Sequence, residues 1–177
     1  IFCGDIGYQL PPIEGSEFTE EGIQNIQTLT VNHRVNCPIF AKLLQEIRDN
    51  IYSVNRIKPL LDNIPRITID EMANMYDIND MCIAYSHKRC NEITNKVKHL
   101  DKWYFESETS KYPTGTIIIG GEQPRGSIRK HGFTVHSIQG ETYANKLFIC
   151  DDTFDYARLL YTAISRAKKL SQIFIVV

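Results

Sequence analysis

The chain alternates short, wholly apolar runs with longer segments whose apolar residues recur every three or four positions. Thr28-Leu29-Thr30-Val31 predicts a strand. Residues 37–50 then carry Ile39, Phe40, Leu43, Leu44 and Ile47 at helical spacing, with Asn36 as the cap and Pro38 in the first turn. Residues 81–85 predict a buried strand that leads into a helix whose Cys90, Ile93, Val97 and Leu100 share one face. Residues 116–119 predict a third strand ended by Gly120 and Gly121, and residues 147–150 a fourth. A helix over 154–168 would turn Leu159, Leu160, Ala163, Ile164 and Ala167 inward, and residues 173–177 form the last strand. Strands that are apolar throughout, alternating with helices, predict an α/β fold: a parallel sheet covered by helices on both faces. In such folds ligands gather at the carboxyl ends of the strands. Two stretches break the pattern. Residues 51–71, with Pro59 and Pro65, read as a connecting excursion, and 101–132, with Pro113, Pro124 and several glycines, as a short inserted loop or hairpin region.

Composition narrows the class without deciding it. The 177 residues, 42% hydrophobic and 23% charged, are those of one ordinary globular unit. A formal net charge of −1 removes any wholesale attraction to a polyanion, although basic residues cluster at 125–131 and 166–169. The five cysteines lie far apart with no Cys-x-x-Cys pair, which fits reduced thiols in an intracellular, reducing compartment and gives no metal site. No run of 18 apolar residues occurs, so no membrane span is expected. The chain opens at Ile1 inside an apparent strand, and is expected to be a piece of a longer polypeptide.

Polar strings set against the apolar runs carry the chemistry. Cys3-Gly4-Asp5-Ile6-Gly7-Tyr8-Gln9-Leu10-Pro11-Pro12 reads as a strand end, a glycine-rich turn and a stiff exit. In Asn32-His33-Arg34 the arginine stands at a strand's carboxyl end, where its planar fork suits a polyphosphate. Tyr85-Ser86-His87-Lys88 is a strand-to-helix turn whose amides and basic side chains suit a backbone phosphate. Within 134–142, Gly140 permits close backbone approach, Thr134, His136, Ser137 and Gln139 offer hydrogen bonds, and Glu141 suits a ribose hydroxyl. In Ser165-Arg166-Ala167-Lys168-Lys169 the arginine interrupts an apolar helical stripe, and an unpaired guanidinium there should face an anion across a cleft.

Together, Gly4-Asp5 with Gln9-Leu10-Pro11-Pro12, Asn32-His33-Arg34, Thr134-Val135-His136-Ser137-Ile138-Gln139-Gly140-Glu141 and Tyr161-Thr162-Ala163-Ile164-Ser165-Arg166-Ala167 resemble motifs III to VI of superfamily 1 helicases, in order. The last two are most similar to the RecD-like branch, which includes helicases of large DNA viruses. The resemblance implies a second RecA-like domain over 14–177, preceded by the end of a first one over 1–13. It implies catalytic roles for Gln9 as γ-phosphate sensor and for Arg34 and Arg166 as arginine fingers. Asp5, Gly140 and Glu141 would contact ATP, while Ser86, His87, Thr134, His136 and Ser137 would face nucleic acid. The implied activity is ATP-dependent translocation along single-stranded DNA with unwinding of duplex. Two alternatives stay open: a viral RNA helicase domain, and a non-catalytic nucleic-acid-binding domain descended from a helicase.

ATP and Mg2+ are the implied ligands, and the partner is an N-terminal RecA-like domain of the same parent chain. No Gly-x-x-x-x-Gly-Lys-Ser/Thr string occurs here, so the cradle for the phosphates and the Mg2+ ligands are expected upstream, and the chain alone is expected to be inactive.

Overall fold

The computed structural model describes Val35 and residues 37–177. Its strands are β1 (Arg66–Ile67), β2 (Met81–Ala84), β3 (Lys102–Tyr104), β4 (Ile117–Ile119), β5 (Ile128–Arg129), β6 (Gly132–Thr134), β7 (Leu147–Cys150) and β8 (Ile173–Val176). Its α-helices are α1 (Pro38–Asp49), α2 (Val54–Ile57), α3 (Ile69–Met75), α4 (His87–Lys96) and α5 (Ala157–Ile164). Five strands form one parallel sheet in the order β1-β8-β7-β2-β6. The predicted strand at 28–31 lies outside the described residues.

The wholly apolar runs are explained by burial on both sides. Met81, Ile83, Leu147, Ile149, Ile173 and Ile175 point to one face and meet Phe40, Leu44 and Ile47 of α1 and Leu160, Ala163 and Ile164 of α5. The alternate residues Cys82, Ala84, Phe148, Cys150 and Val176 point to the other and meet Met72 of α3 with Cys90 and Ile93 of α4. Helices therefore cover both faces, as the sequence predicts.

Three local expectations are corrected. Residues 117–119 are a strand, but they belong to a separate antiparallel sheet of order β4-β3-β5 rather than to the parallel one. That sheet is the form taken by the insertion, and Ile117 and Ile119 stay exposed on it. The helix predicted over 154–168 is shorter. A 3-10 turn occupies Asp151–Asp155, α5 starts at Ala157, and the helix stops at Ile164 with Ser165 as its cap. Arg166 thus stands in the turn beyond the helix and not inside a helical stripe. The excursion at 51–71 contains α2 and also β1, whose pairing with β8 makes it an edge of the sheet.

Strand β6 escapes the sequence pattern because its middle is polar-flanked and it begins with glycine. The reason for Gly132 is steric: a Cβ there would lie 2.6 Å from the carbonyl oxygen of Cys90 in α4. Only a residue without a side chain lets that helix settle on the strand.

A buried polar joint ties the insertion to the main sheet. Lys102 of β3 donates from Nζ to the Tyr76 hydroxyl at 2.8 Å and to the Asp80 carbonyl at 2.7 Å. His131, which leads into β6, places Nδ1 3.2 Å from the same hydroxyl and Nε2 3.1 Å from the Leu100 carbonyl. Burial away from water lowers the Lys102 ammonium to about 8 and, with the charge of Lys102 assisting, lowers His131 to about 4.

Candidate functional site

The parallel pairing of β2 and β6 sets Ala84 beside Thr134, and the Val135 amide donates to the Ala84 carbonyl at 3.1 Å. Two polar turns therefore leave the sheet side by side. One is Tyr85-Ser86-His87, with His87 exposed at the start of α4. The other is a 3-10 turn over His136–Ile138. Ser137 donates from Oγ to the Thr134 carbonyl at 2.9 Å, and its amide donates to Thr134 Oγ1 at 3.3 Å. These hydrogen bonds hold His136 half-buried and Ser137 exposed at the rim.

Strand β7 ends on the opposite flank of β2 and delivers Asp152. Its carboxylate accepts from the Tyr85 amide, the Ser86 amide and the Ser86 hydroxyl, each at 2.9 Å. Ser86 Oγ in turn accepts from the Arg89 amide at 3.2 Å and caps α4. The Tyr85 and Ser86 amides and the Ser86 hydroxyl, which the sequence offers to a phosphate, are thus taken by an internal carboxylate. For Ser86 to grip a phosphate, Asp152 must let go.

A cavity of about 400 Å3 opens beside these strand ends, lined in part by Tyr52, Tyr85, His136, Asp155, Tyr156 and Arg158. The rings of Tyr85 and Tyr156 meet with centroids 5.3 Å apart, tilted by 51°. Sequence reasoning missed Asp152 and Tyr156. The signal was present, since an acidic pair directly follows an apolar strand, as the Ser86 turn follows β2.

A second group of residues gathers where the chain enters β7 and β8. Tyr143 pairs with Ala167 in a parallel bridge, and its amide donates to the Arg166 carbonyl at 2.9 Å. Arg166, 8% exposed, donates from Nε to the Thr162 carbonyl (3.0 Å), from Nη1 to the Glu141 carbonyl (3.1 Å) and from Nη2 to Ser165 Oγ (2.9 Å). These three acceptors are neutral groups. Gly140 adopts φ 98°, the left-handed region that favours glycine, and space lies open where a side chain would be. Burial raises the Tyr143 hydroxyl well above its usual range.

The structure therefore sorts the predicted site residues into two sets. Ser86, His87, Thr134, His136 and Ser137 lie together at the carboxyl ends of β2 and β6. Gly140, Glu141 and Arg166 lie together on the way into β7 and β8, away from those carboxyl ends. Residues 134–141 run continuously from the first set to the second. Asp5, Gln9 and Arg34 lie outside the described residues.

No family model matches the chain, and no curated protein matches it. Solved structures do share its fold. A Pif1 helicase from Bacteroides in complex with ADP-AlF3 and single-stranded DNA superposes with a TM-score of 0.59 at 16% identity, over 83% of this chain and 51% of that one. A structure of two coordinating Pif1 helicases at forked duplex DNA gives 0.58 at 16% identity, over 80% and 48%. Bacteroides Pif1 bound to single-stranded DNA gives 0.58 at 15% identity, over 80% and 49%. The parallel five-stranded sheet with its helices is the RecA-like α/β fold of these helicases, and the chain spans about half their length.

Proposed function

We propose that the chain is the second motor domain of an ATP-dependent DNA helicase, in which nucleotide hydrolysis drives movement along single-stranded DNA. The observation that carries this reading is the stretch 134–141, which has one end among the groups that would face a strand and the other in the grip of Arg166. A short, hydrogen-bonded segment shared by two sites is a physical route by which one can bias the other.

In this reading, ATP lies against Gly140, Glu141 and Arg166, with Arg34 and Gln9 supplied by the N-terminal part of the chain. The φ of Gly140 and the open space beside it allow a phosphate or sugar to approach the backbone. Arg166 brings a fork of donors, and developing charge on a γ-phosphate would compete with the uncharged Thr162 and Glu141 carbonyls and Ser165 Oγ for them. Mg2+ would supply charge neutralisation at the phosphates from ligands on a partner domain. When Arg166 exchanges the Glu141 carbonyl for phosphate, the 134–141 stretch loses its anchor. The turn bearing His136 and Ser137, bonded to Thr134, would then shift with it relative to His87 and change the grip on the strand.

The neighbours solved with single-stranded DNA and with ADP-AlF3 support the choice of ligands. The test is ATP turnover by the full-length protein with and without oligothymidylate. The expected result is turnover stimulated many-fold by the oligonucleotide, with this 177-residue chain inactive by itself. Turnover indifferent to single strands would refute the motor reading, and stimulation by oligouridylate alone would move it to RNA.

A further inference from the structure

We infer that Tyr85 and Tyr156 form a ledge on which a base of single-stranded DNA stacks. The inference rests on the reading above, and adds to it a contact with bases where the turn residues offer contacts only to phosphates. Both rings are unusually open for tyrosine: Tyr85 is 42% exposed and Tyr156 54%, and Tyr52 on the same cavity is 85% exposed. Nothing in their backbone is loose. Tyr85 is pinned through its amide to Asp152, and Tyr156 directly precedes α5, where its carbonyl accepts from the Leu160 amide at 3.0 Å. Rigid backbone under exposed rings is the arrangement of a stacking platform, since the ordering cost is met before the ligand arrives.

Position and chemistry select the occupant. The ledge adjoins the Ser86 turn and, through His136 on the cavity wall, the Thr134–Ser137 turn. A strand whose phosphates pass His87 and the Thr134–Ser137 turn, with Asp152 still closed on the Ser86 turn, would bring its bases over the rings. Arg158, His136 and Asp155 share the cavity wall, so its edges can meet the polar rim of a base while the tyrosines meet its face. Bases in a duplex have their faces covered by neighbours, and so the ledge favours single strands.

The experiment is binding of two fluorescently labelled ligands to the full-length protein. One is an oligothymidylate, the other an abasic phosphodiester of equal length, which keeps the charges and lacks the bases. Tyr85→Ala and Tyr156→Ala are each expected to weaken oligothymidylate binding about tenfold and to leave abasic binding unchanged. Tyr156→Phe, which keeps the ring, is expected to bind as the wild type does. Three results would overturn the inference: alanine variants that bind oligothymidylate normally, variants that lose both ligands alike, or a wild-type protein that binds the two ligands equally. A wild-type protein that binds neither would instead overturn the proposed function itself.

Discussion

The Arg166 guanidinium donates to the Glu141 carbonyl at 3.1 Å, joining two polar strings that stand 25 residues apart. The Thr162 carbonyl and Ser165 Oγ accept from the same guanidinium, so it is engaged within the protein on several sides. The geometry makes this arginine a support for the 134–141 stretch, held next to its glycine turn through Glu141.

Arg166→Ala in the full-length protein should lower DNA-stimulated ATP turnover by roughly a thousandfold or more, while nucleotide affinity changes little. Because the substitution also strips donors from two carbonyls, it should cost about 1–3 kcal/mol in stability. Arg166→Lys separates the effects, since it keeps charge and bulk but loses the fork. Its turnover should stay far below wild type. Steady-state kinetics and titration with a fluorescent nucleotide check both, and near-normal turnover in the lysine variant would remove Arg166 from catalysis.

Asp152→Ala should unseat the turn at the head of α4. The loss of three hydrogen bonds to a carboxylate costs about 2 kcal/mol and lowers the melting temperature by roughly 5 °C, with the bonds themselves at Tyr85 and Ser86. Asp152→Asn retains one acceptor oxygen, enough for the Tyr85 amide or for the Ser86 donors but not both, and should lose less. Circular dichroism melts read the difference. An unchanged melting temperature for the alanine variant would mean that the carboxylate does not hold the turn.

The joint beneath the inserted sheet gives a pH dependence of definite sign. His131 falls from its usual 6.5 to about 4, because it is buried and faces Lys102, with Arg129 and His99 adding to the effect and the Leu100 carbonyl opposing it. Between those values the unfolded chain binds the proton that the folded one refuses, so this residue makes stability fall as pH drops from 6.5 towards 4. The full effect is about 3 kcal/mol. Lys102 acts the same way at higher pH, adding stability as pH rises from about 8 towards its usual 10.5. Urea midpoints of His131→Asn against wild type between pH 7 and 4.5 test the first part. Parallel curves would dismiss it.

Gly132→Ala places a methyl group 2.6 Å from the Cys90 carbonyl oxygen and 2.7 Å from its Cα. Both are backbone atoms of a helix packed on the sheet through Cys90 and Ile93, which cannot swing aside as a side chain would. The substitution should destabilise by about 1–3 kcal/mol or more, seen as a lower urea midpoint. A neutral result would show that α4 can shift freely on β6.

Much of the sheet was legible in the sequence for a physical reason. Residues 81–84, 147–150 and 173–176 are buried on both faces, and so they are apolar at every position. The strand over 132–134 has no such run, because Gly132 answers a steric demand from α4 and Thr134 already belongs to the site. The end of α5 was hidden because burial outlasts the helix: Ala167 is as buried as Ala163, and periodicity registers burial rather than backbone form. Of the candidate site, the clustering of the Ser86 and His136 turns follows from a parallel pairing between residues some fifty positions apart, as the register of Ala84 with Thr134 shows. No local pattern announces such a pairing. The same holds for Asp152, whose partners lie 66 and 67 residues away.

The inserted sheet leaves and rejoins the body of the protein at almost one point. The Lys130 amide donates to the Lys102 carbonyl at 3.1 Å, and His131 and Lys102 share the Tyr76 hydroxyl. A detour closed at its base in this way can be lengthened at small entropic cost, since loop closure grows only slowly with length. The chain beyond that base is thus a tolerant place for grafting, where descendants could add or trim whole hairpins while the parallel sheet beneath kept its form.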